Sequence, residues 1–299
     1  MHPIISINDF KLVDISDKDY LQDVFLKFTL IPCEYVFTNL FIWRKIYDVR
    51  WMKFRNSILI HSGLDKTLLM PLGDTYTPEE LMNLLSCTFP GDKDASIIQV
   101  PEDYVKQNPA INDIFESELD DDFADYVYST EKLYLLRGAK LAKKKNLVSQ
   151  FSRNNPGYTC LPLEESHLQE CFALSEKWRE STESDPFTLG QEKEAIQEAF
   201  ANFKALDIEG VCIIVGGKII AFSAYSFQSS DAAVVHFEKY DKDFKGAAQA
   251  INWETAKSLL GRCKFINREQ DIGLPGLRKA KLSYEPDRIM ANYTLSPRQ

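Results

Sequence analysis

Three short runs in the C-terminal half, Val211 to Val215, Lys218 to Gln228 and Ala232 to Tyr240, are separated only by Gly216-Gly217 and Ser229-Ser230-Asp231. Runs of this length and β-branched content read as strands, and links this short join antiparallel neighbours. The chain is thereby committed to a β-meander on which the surrounding segments must pack. Helical spacing of apolar residues places helices at His167 to Glu180 and Lys193 to Ala205 before it, and at Ala247 to Leu260 after it. A strand at Lys264 to Glu269, a short helix at Leu277 to Ser283 and a strand at Arg288 to Leu295 complete an order α-α-β-β-β-α-β-α-β.

The N-terminal half reads in the same order. Helices are expected near Lys18 to Phe28 and Val36 to Ile46, then strands at Val49 to Phe54, Ser57 to Ser62 and Thr67 to Pro71. Thr77 to Cys87 reads as a helix, with Thr77 as its cap and Glu80 three residues on as a capping box. Strand, helix and strand follow at Ser96 to Val100, Glu102 to Gln107 and Phe123 to Leu133. The repeat rests on element order, since no sequence identity between the halves is visible. At 299 residues and 44% hydrophobic, the chain is long enough for two ordinary cores. The expected division is a domain at 1–134, a basic connecting helix at 135–150 and a domain at 151–299.

A net charge of −9 argues against broad nonspecific binding to nucleic acid, but local patches decide the matter. Between Glu131 and Arg153 stand seven basic residues against one acid, directly after the acid-rich stretch Glu116 to Asp125. Arg137, Lys140 and Lys144, at helical spacings of three and four, are expected along one face, with Lys143 and Lys145 beside them. Such residues contact phosphates without reading sequence, although most charge runs are only solvated faces. Cys33, Cys87, Cys160, Cys171, Cys212 and Cys263 are far apart with no C-x-x-C pair, which indicates neither a metal site nor a disulfide framework. The opening Met1 to Phe10 has no basic or long apolar segment, and no run of about 18 apolar residues occurs. A cytoplasmic protein without an integral membrane segment is the expectation.

Chemistry concentrates at Asn267 to Lys281. If Phe265 to Asp271 is extended, the side chains of Asn267, Glu269 and Asp271 share a face. Glu269 and Asp271 would form a trap for an ammonium group. Gly273 and Gly276 would shape the loop, with Arg278 and Lys281 holding phosphate or carboxylate across it. The plainer alternative is a Glu269–Arg278 pair that only fixes the loop. On the third meander strand His236, Glu238 and Tyr240 alternate toward one side. Aminolysis of an ester or thioester needs a neutral amine and a stabilised oxyanion rather than a covalent nucleophile. His236 or Glu238 could take the amine proton while Asn267 faces the oxyanion. The aromatic stretch Phe37, Phe41, Trp43, Tyr47 and Trp51 reads as core.

A meander followed by a helix and a further strand resembles the GCN5-related N-acetyltransferases, and its duplication resembles their tandem forms. Tyr134 to Asn146, Lys245-Gly246 and Asn267 to Lys281 resemble the DUF2156 proteins, which are similar to the catalytic C-terminal region of phosphatidylglycerol lysyltransferases. This resemblance implies an α+β fold of two acetyltransferase-like (GNAT-like) domains, each a largely antiparallel mixed sheet flanked by helices. It also implies an acyltransferase that takes its aminoacyl group from aminoacyl-tRNA, held by Arg137, Lys140, Lys143, Lys144 and Lys145, and passes it to a small-molecule or peptide acceptor through an amine or hydroxyl. The related lysyltransferases carry an acid near the position of His236, from which this chain departs.

Simple acetyltransferases bind the coenzyme A pyrophosphate with a Gln/Arg-x-x-Gly-x-Gly/Ala loop; here Asp243-Phe-Lys245-Gly246-Ala-Ala248 puts an acid at the first position. Lys245 and Gly246 could still approach a phosphate. No cofactor is therefore expected, with acetyl-CoA retained under the alternative of an N-acetyltransferase. A binding module for an amino acid or nucleotide, without turnover, is the third reading.

Overall fold

The computed structural model describes residues 5–181 and 185–298; the first four residues of the opening decapeptide lie outside this range. The first strands and helices are β1 (Lys11–Leu12), α1 (Lys18–Phe25), α2 (Phe37–Tyr47), β2 (Val49–Phe54), β3 (Ser57–Ser62) and β4 (Thr67–Leu69). α3 (Pro78–Thr88) starts on the expected capping box, in which Glu80 N–H donates to Thr77 Oγ1 at 3.3 Å and Thr77 N–H to Glu80 Oε2 at 3.0 Å. β5 (Ser96–Val100), α4 (Glu102–Gln107), α5 (Ile111–Ile114) and β6 (Phe115–Ser129) follow. Next come α6 (Thr130–Leu135), α7 (Ala142–Asn154), β7 (Thr159–Pro162), α8 (Glu165–Glu180) and α9 (Pro186–Ala201). The second meander is β8 (Glu209–Val215), β9 (Lys218–Phe227) and β10 (Ala232–Tyr240). Gly216 and Gly217 both take positive φ in its first hairpin, as a tight two-residue turn requires. The chain ends with α10 (Ala247–Leu259), β11 (Phe265–Asn267), α11 (Pro275–Leu282) and β12 (Arg288–Pro297).

The chain divides into two compact units that are not contiguous in sequence. One comprises Met1–Asp17, Trp43–Ala124 and Met290–Gln299, and the other Lys18–Ile42 and Asp125–Ile289. The expected cuts at 134 and 151 do not coincide with these units, because the last strand of each half completes the sheet of the other. In the first unit β12 pairs antiparallel with β5, Tyr293 opposite Val100. In the second, the end of β6 pairs antiparallel with β11, Val127 opposite Asn267. The residues of β6 explain their placement: the acidic first part is mostly exposed, whereas Ala124 to Tyr128 are buried. The basic segment 135–150 lies within the second unit rather than between domains.

Each unit repeats one arrangement. In the first, the meander β2-β3-β4 leads through α3 to β5, which runs parallel to β4. In the second, β8-β9-β10 leads through α10 to β11, which runs parallel to β10. The fold is thus α+β with two acetyltransferase-like units. Leu59, Leu68, Leu81, Ile97 and Phe115 centre the first core. Phe151, Ile213, Ala221 and Ile251 form one cluster of the second unit, with Tyr128, Tyr225, Leu259 and Ile266 in a neighbouring one. A fully buried Leu, Ile or Phe contributes about 1.5–3 kcal/mol by leaving water, so these clusters hold the strands that position the site. Of the aromatic stretch expected in the core, Phe37, Phe41 and Trp51 are buried, whereas Trp43 and Tyr47 are half-buried.

Candidate active site

The site grows from the end of β11 and lies within the second unit. Asn267 is fully buried and is the last strand residue. Its Oδ1 accepts the N–H of Glu269 at 2.8 Å, an Asx turn, while its Nδ2 donates to Asp125 Oδ2 at 2.7 Å. Glu269 takes a left-handed backbone conformation, φ +55°, sparsely populated by non-glycine residues. The expectation of an extended run to Asp271 is corrected here. The turn brings Glu269 beside Asn267, and Asp271 leaves in another direction.

Glu269 ends a relay. Its Oε1 accepts Asn39 Nδ2 at 2.8 Å and lies 3.0 Å from His236 Nδ1. The other ring nitrogen, Nε2, is 2.7 Å from Ser226 Oγ. With a proton on Nδ1 held by the carboxylate, Nε2 is left as the acceptor for the Ser226 hydroxyl. Adjacent strands make this possible, since Ser226 on β9 is paired with Val234 two residues before His236 on β10. Ser226 also lines a cavity of about 220 Å³, whose wall includes Phe25, Tyr35, Val36 and Phe227.

An acidic cluster of the buried Asp125 and the half-buried Glu34 adjoins the relay. Asp125 Oδ2 accepts Cys33 N–H at 2.8 Å as well as Asn267, whereas its buried Oδ1 has no hydrogen-bond partner among the described residues. Glu34 accepts a hydrogen bond from Gln270 Nε2. Burial pushes Glu34 up to about 8, with the nearby Asp125 charge adding to it. Burial likewise raises Asp125 to about 6, against the donors Asn267 and Cys33. The Cys33 thiol is pushed well up by burial and by Asp125. Ligand atoms of Cys33, Glu34 and Asp125 lie within 4.8 Å of one another, a spacing that suits a cation. The Asp125 Oδ1, held out of water without a partner among the described residues, favours either protonation or an incoming positive group.

Residues 28–296 match the family described as phosphatidylglycerol lysyltransferase, C-terminal. The chain belongs to that family. It is 30% identical to a conserved protein of unknown function from Bacteroides thetaiotaomicron, with a TM-score of 0.86 over 97% of this chain and 99% of that one. The C-terminal DUF2156 domain of a putative lysylphosphatidylglycerol synthetase from Agrobacterium fabrum shares the fold, with 14% identity, a TM-score of 0.65 and coverage of 95% and 92%. L-PGS from Bacillus licheniformis does so with 15% identity, a TM-score of 0.63 and coverage of 94% and 91%. An uncharacterized protein of Mycoplasmoides gallisepticum is 20% identical over 242 residues, 76% of this chain and 74% of its own length. Family and fold together make this chain a transferase of the acyltransferase type. Among the described residues, no helix is long and apolar enough to cross a membrane.

Within this lysyltransferase-like framework, several expected ligand-facing residues build the loop instead. Asp271 is fully buried and accepts Arg278 Nε at 2.8 Å, Arg278 Nη2 at 3.0 Å, Tyr126 Oη at 2.6 Å and Gly273 N–H at 2.9 Å. Although burial works against its charge, the bonds from Arg278 and Tyr126 hold the carboxyl below its ordinary range. The Asp271–Arg278 pair therefore closes the loop and is not an open ammonium trap. Lys281 Nζ donates to the carbonyls of Arg268 at 2.6 Å, Glu269 at 2.9 Å and Gln270, pinning the turn that displays Glu269. Burial and the nearby Arg268 bring this lysine down to about 8. Gly273 carries a positive φ in the loop, and Gly276, in the first turn of α11, has open space around it.

Glu238 is also engaged, 2.8 Å from Arg268 Nη2 and 3.4 Å from Asn252 Nδ2, so it serves as a partner for Arg268 rather than an unpaired base. The Arg268 guanidinium lies 5.2 Å from the ring centroid of Tyr284, and Lys144 Nζ lies 4.3 Å from the same ring. The basic segment thus reaches the site through Lys144, whose charge partial burial and Arg268 disfavour. Its expected face is corrected: α7 begins at Ala142, so Arg137 and Lys140 precede it, and Lys140 pairs with Glu285 at 2.8 Å. Arg137, Lys143 and Lys145 are exposed.

Lys245 is exposed before α10. Gly246 caps that helix with φ +89°, and a Cβ there would lie 2.6 Å from the Leu147 carbonyl of α7. Its bare face is used for helix packing, not for a ligand. Asp243 pairs with Lys177 at 2.8 Å.

Ser226, Asn39, Asp125, Glu34 and Arg268 were not among the residues singled out from sequence. Ser226 and Asn39 sit among apolar residues in runs that read as core, and Asp125 closes an acid run that reads as solvated.

Proposed function

We propose that this protein transfers an aminoacyl group from aminoacyl-tRNA to an amine or hydroxyl acceptor. The observation that carries the reading is the Glu269 relay standing beside the acids Glu34 and Asp125, half-buried and buried. An aminoacyl ester presents an α-ammonium next to its reactive carbonyl. The acidic cluster suits the first, and a His236 imidazole oriented by Glu269 suits the proton transfer that attack on the second requires. The exposed Arg137, Lys143 and Lys145, with Lys144 reaching Tyr284 beside Arg268, support contact with phosphates of an acceptor stem.

Lysine as the amino acid and phosphatidylglycerol as one acceptor come from the family description and the names of the structural relatives. Acetyl-CoA as donor has less support, because Gly246 is packed against α7 and Asp243 adds an acid near the start of α10. The test is transfer of labelled amino acid from a panel of charged tRNAs to small amines, peptides and phosphatidylglycerol vesicles. Acetyl-CoA serves as the competing donor. Transfer from a charged tRNA is expected. Transfer from acetyl-CoA alone would replace the donor, and thermal stabilisation by an amino acid without turnover would make this a binding module.

A further inference from the structure

We infer that Cys33, Glu34 and Asp125 form a binding site for a divalent metal ion of the zinc class, and that this ion and the ammonium of a donor exclude one another. Only the exclusion rests on the transfer reading. The three residues come from two places in the second unit. A single helical turn, Cys33–Tyr35, closes with Val36 N–H on the Cys33 carbonyl at 3.1 Å, so a thiol and a carboxyl leave the chain side by side just before α2. Asp125 meets them from the buried end of β6.

Cys33 Sγ is 3.8 Å from Glu34 Oε2, and ligand atoms of all three residues lie within 4.8 Å of one another. A tetrahedral zinc ion, with Zn–S of about 2.3 Å and Zn–O of about 2.1 Å, holds such atoms about 3.5 Å apart, so side-chain shifts of about 1 Å close the site. A second observation points to a ligand independently. Asp125 is 1% exposed; its Oδ2 accepts Cys33 N–H and Asn267 Nδ2, whereas Oδ1 has no partner among the described residues. A buried acceptor left in that state is costly unless a cation or a donor meets it. The two donors on Oδ2 fix the orientation of the carboxylate, as bonds behind a metal ligand usually do.

The donor set selects the metal. A thiolate beside two carboxylates suits zinc, which takes sulfur and oxygen ligands in a four-coordinate site, whereas magnesium and calcium take about six or more oxygens. The fourth position is left to water. On binding, the Cys33 thiol proton passes to solvent and the sulfur electron pair bonds to the ion. Three anionic ligands outweigh a divalent ion by one charge, and the Lys281 ammonium, which the charges of Asp125 and Cys33 favour, offsets it. An ammonium that uses the same carboxylate oxygens cannot share them with the ion, which is the source of the exclusion.

The test is binding of zinc chloride by the full chain, followed by equilibrium dialysis with metal analysis and repeated with cobalt chloride. The expected result is a single zinc ion per chain, a thiolate-to-cobalt charge-transfer band in the near ultraviolet, and zinc affinity at least about 100-fold weaker in Cys33→Ser and in Asp125→Asn. The band reports sulfur on the metal in wild type, so the outcome does not depend on how the variants fold. No zinc on folded wild type overturns the site, as does cobalt bound without that band, which marks an adventitious surface ion. An amino-acid methyl ester, present at about ten times its own Kd, is expected to weaken zinc binding about tenfold. Zinc affinity unchanged by that ester overturns the exclusion. Zinc held on Cys33 by a protein that transfers from no charged tRNA upholds the metal site while the transfer reading falls.

Discussion

Asn267 joins the two acidic parts of the site, since one amide bonds Asp125 through Nδ2 at 2.7 Å and receives Glu269 N–H through Oδ1 at 2.8 Å. Removing it leaves the Asp125 carboxyl buried with one donor fewer and frees the left-handed turn at Glu269. Asn267→Ala is expected to cost about 2–4 kcal/mol, as for a buried charged group deprived of a hydrogen bond. Urea unfolding checks this, with the midpoint falling at an unchanged slope.

Lys281 supports the same turn from the other side, through three successive backbone carbonyls. Lys281→Met keeps the apolar stem but strands those oxygens, each a group that is costly to bury unpaired. A loss of about 2–4 kcal/mol is expected. Calorimetric melting of the variant should show it, and an unaltered melting temperature would mean that the turn holds itself.

Glu34 gives the fold a pH dependence of definite sign. Its carboxyl titrates near 8 in the fold, against an ordinary value of 4.5, because burial disfavours its charge. Between those values the folded chain holds a proton that the unfolded chain has released, so stability falls as pH rises. The contribution is fully present below about 4.5 and is lost as pH climbs through about 8. One such proton gives a slope of up to about 1.4 kcal/mol per pH unit. Denaturation from pH 5 to 8.5 should show Glu34→Gln flattening the profile relative to wild type. The expectation fails if the two profiles are parallel.

Lys143 and Lys145 are exposed on α7 and are the residues best placed to meet phosphate without a role in the fold. The double variant Lys143→Ala, Lys145→Ala should weaken binding of charged tRNA. The dependence of log affinity on log salt should become shallower by about one for each phosphate that a lysine no longer neutralises. Filter binding across a salt series measures both quantities. An unchanged slope would take this helix out of the interface.

Much of the fold was legible in the sequence, because alternation and turn residues act locally. Val49–Phe54, Ser57–Ser62, Ser96–Val100 and Ala232–Tyr240 match their expected bounds, as does the Thr77 capping box. The exchange of β6 and β12 was not legible, since choosing between two similar sheet edges depends on packing that no local pattern records. The loop at Asn267 was half legible. Its polar residues marked a site, but an asparagine ending a strand can bond the backbone two residues on, which replaced the period-two face with a turn. That turn decided which acids converge: Glu269 joins Asp125 and Glu34 near His236, while Asp271 is consumed by Arg278. The basic residues do not share one helical face, because Gly138, with φ +97°, interrupts the backbone before α7 begins at Ala142.

The most direct measurement is the rate of aminoacyl transfer from charged tRNA by wild type and by Glu269→Gln. The substitution keeps an oxygen for Asn39 and His236 but removes the charge that orients and stabilises the imidazolium. At unchanged melting temperature, Glu269→Gln is expected to transfer at least about 100-fold more slowly. A folded Glu269→Gln protein that transfers at the wild-type rate would contradict the account.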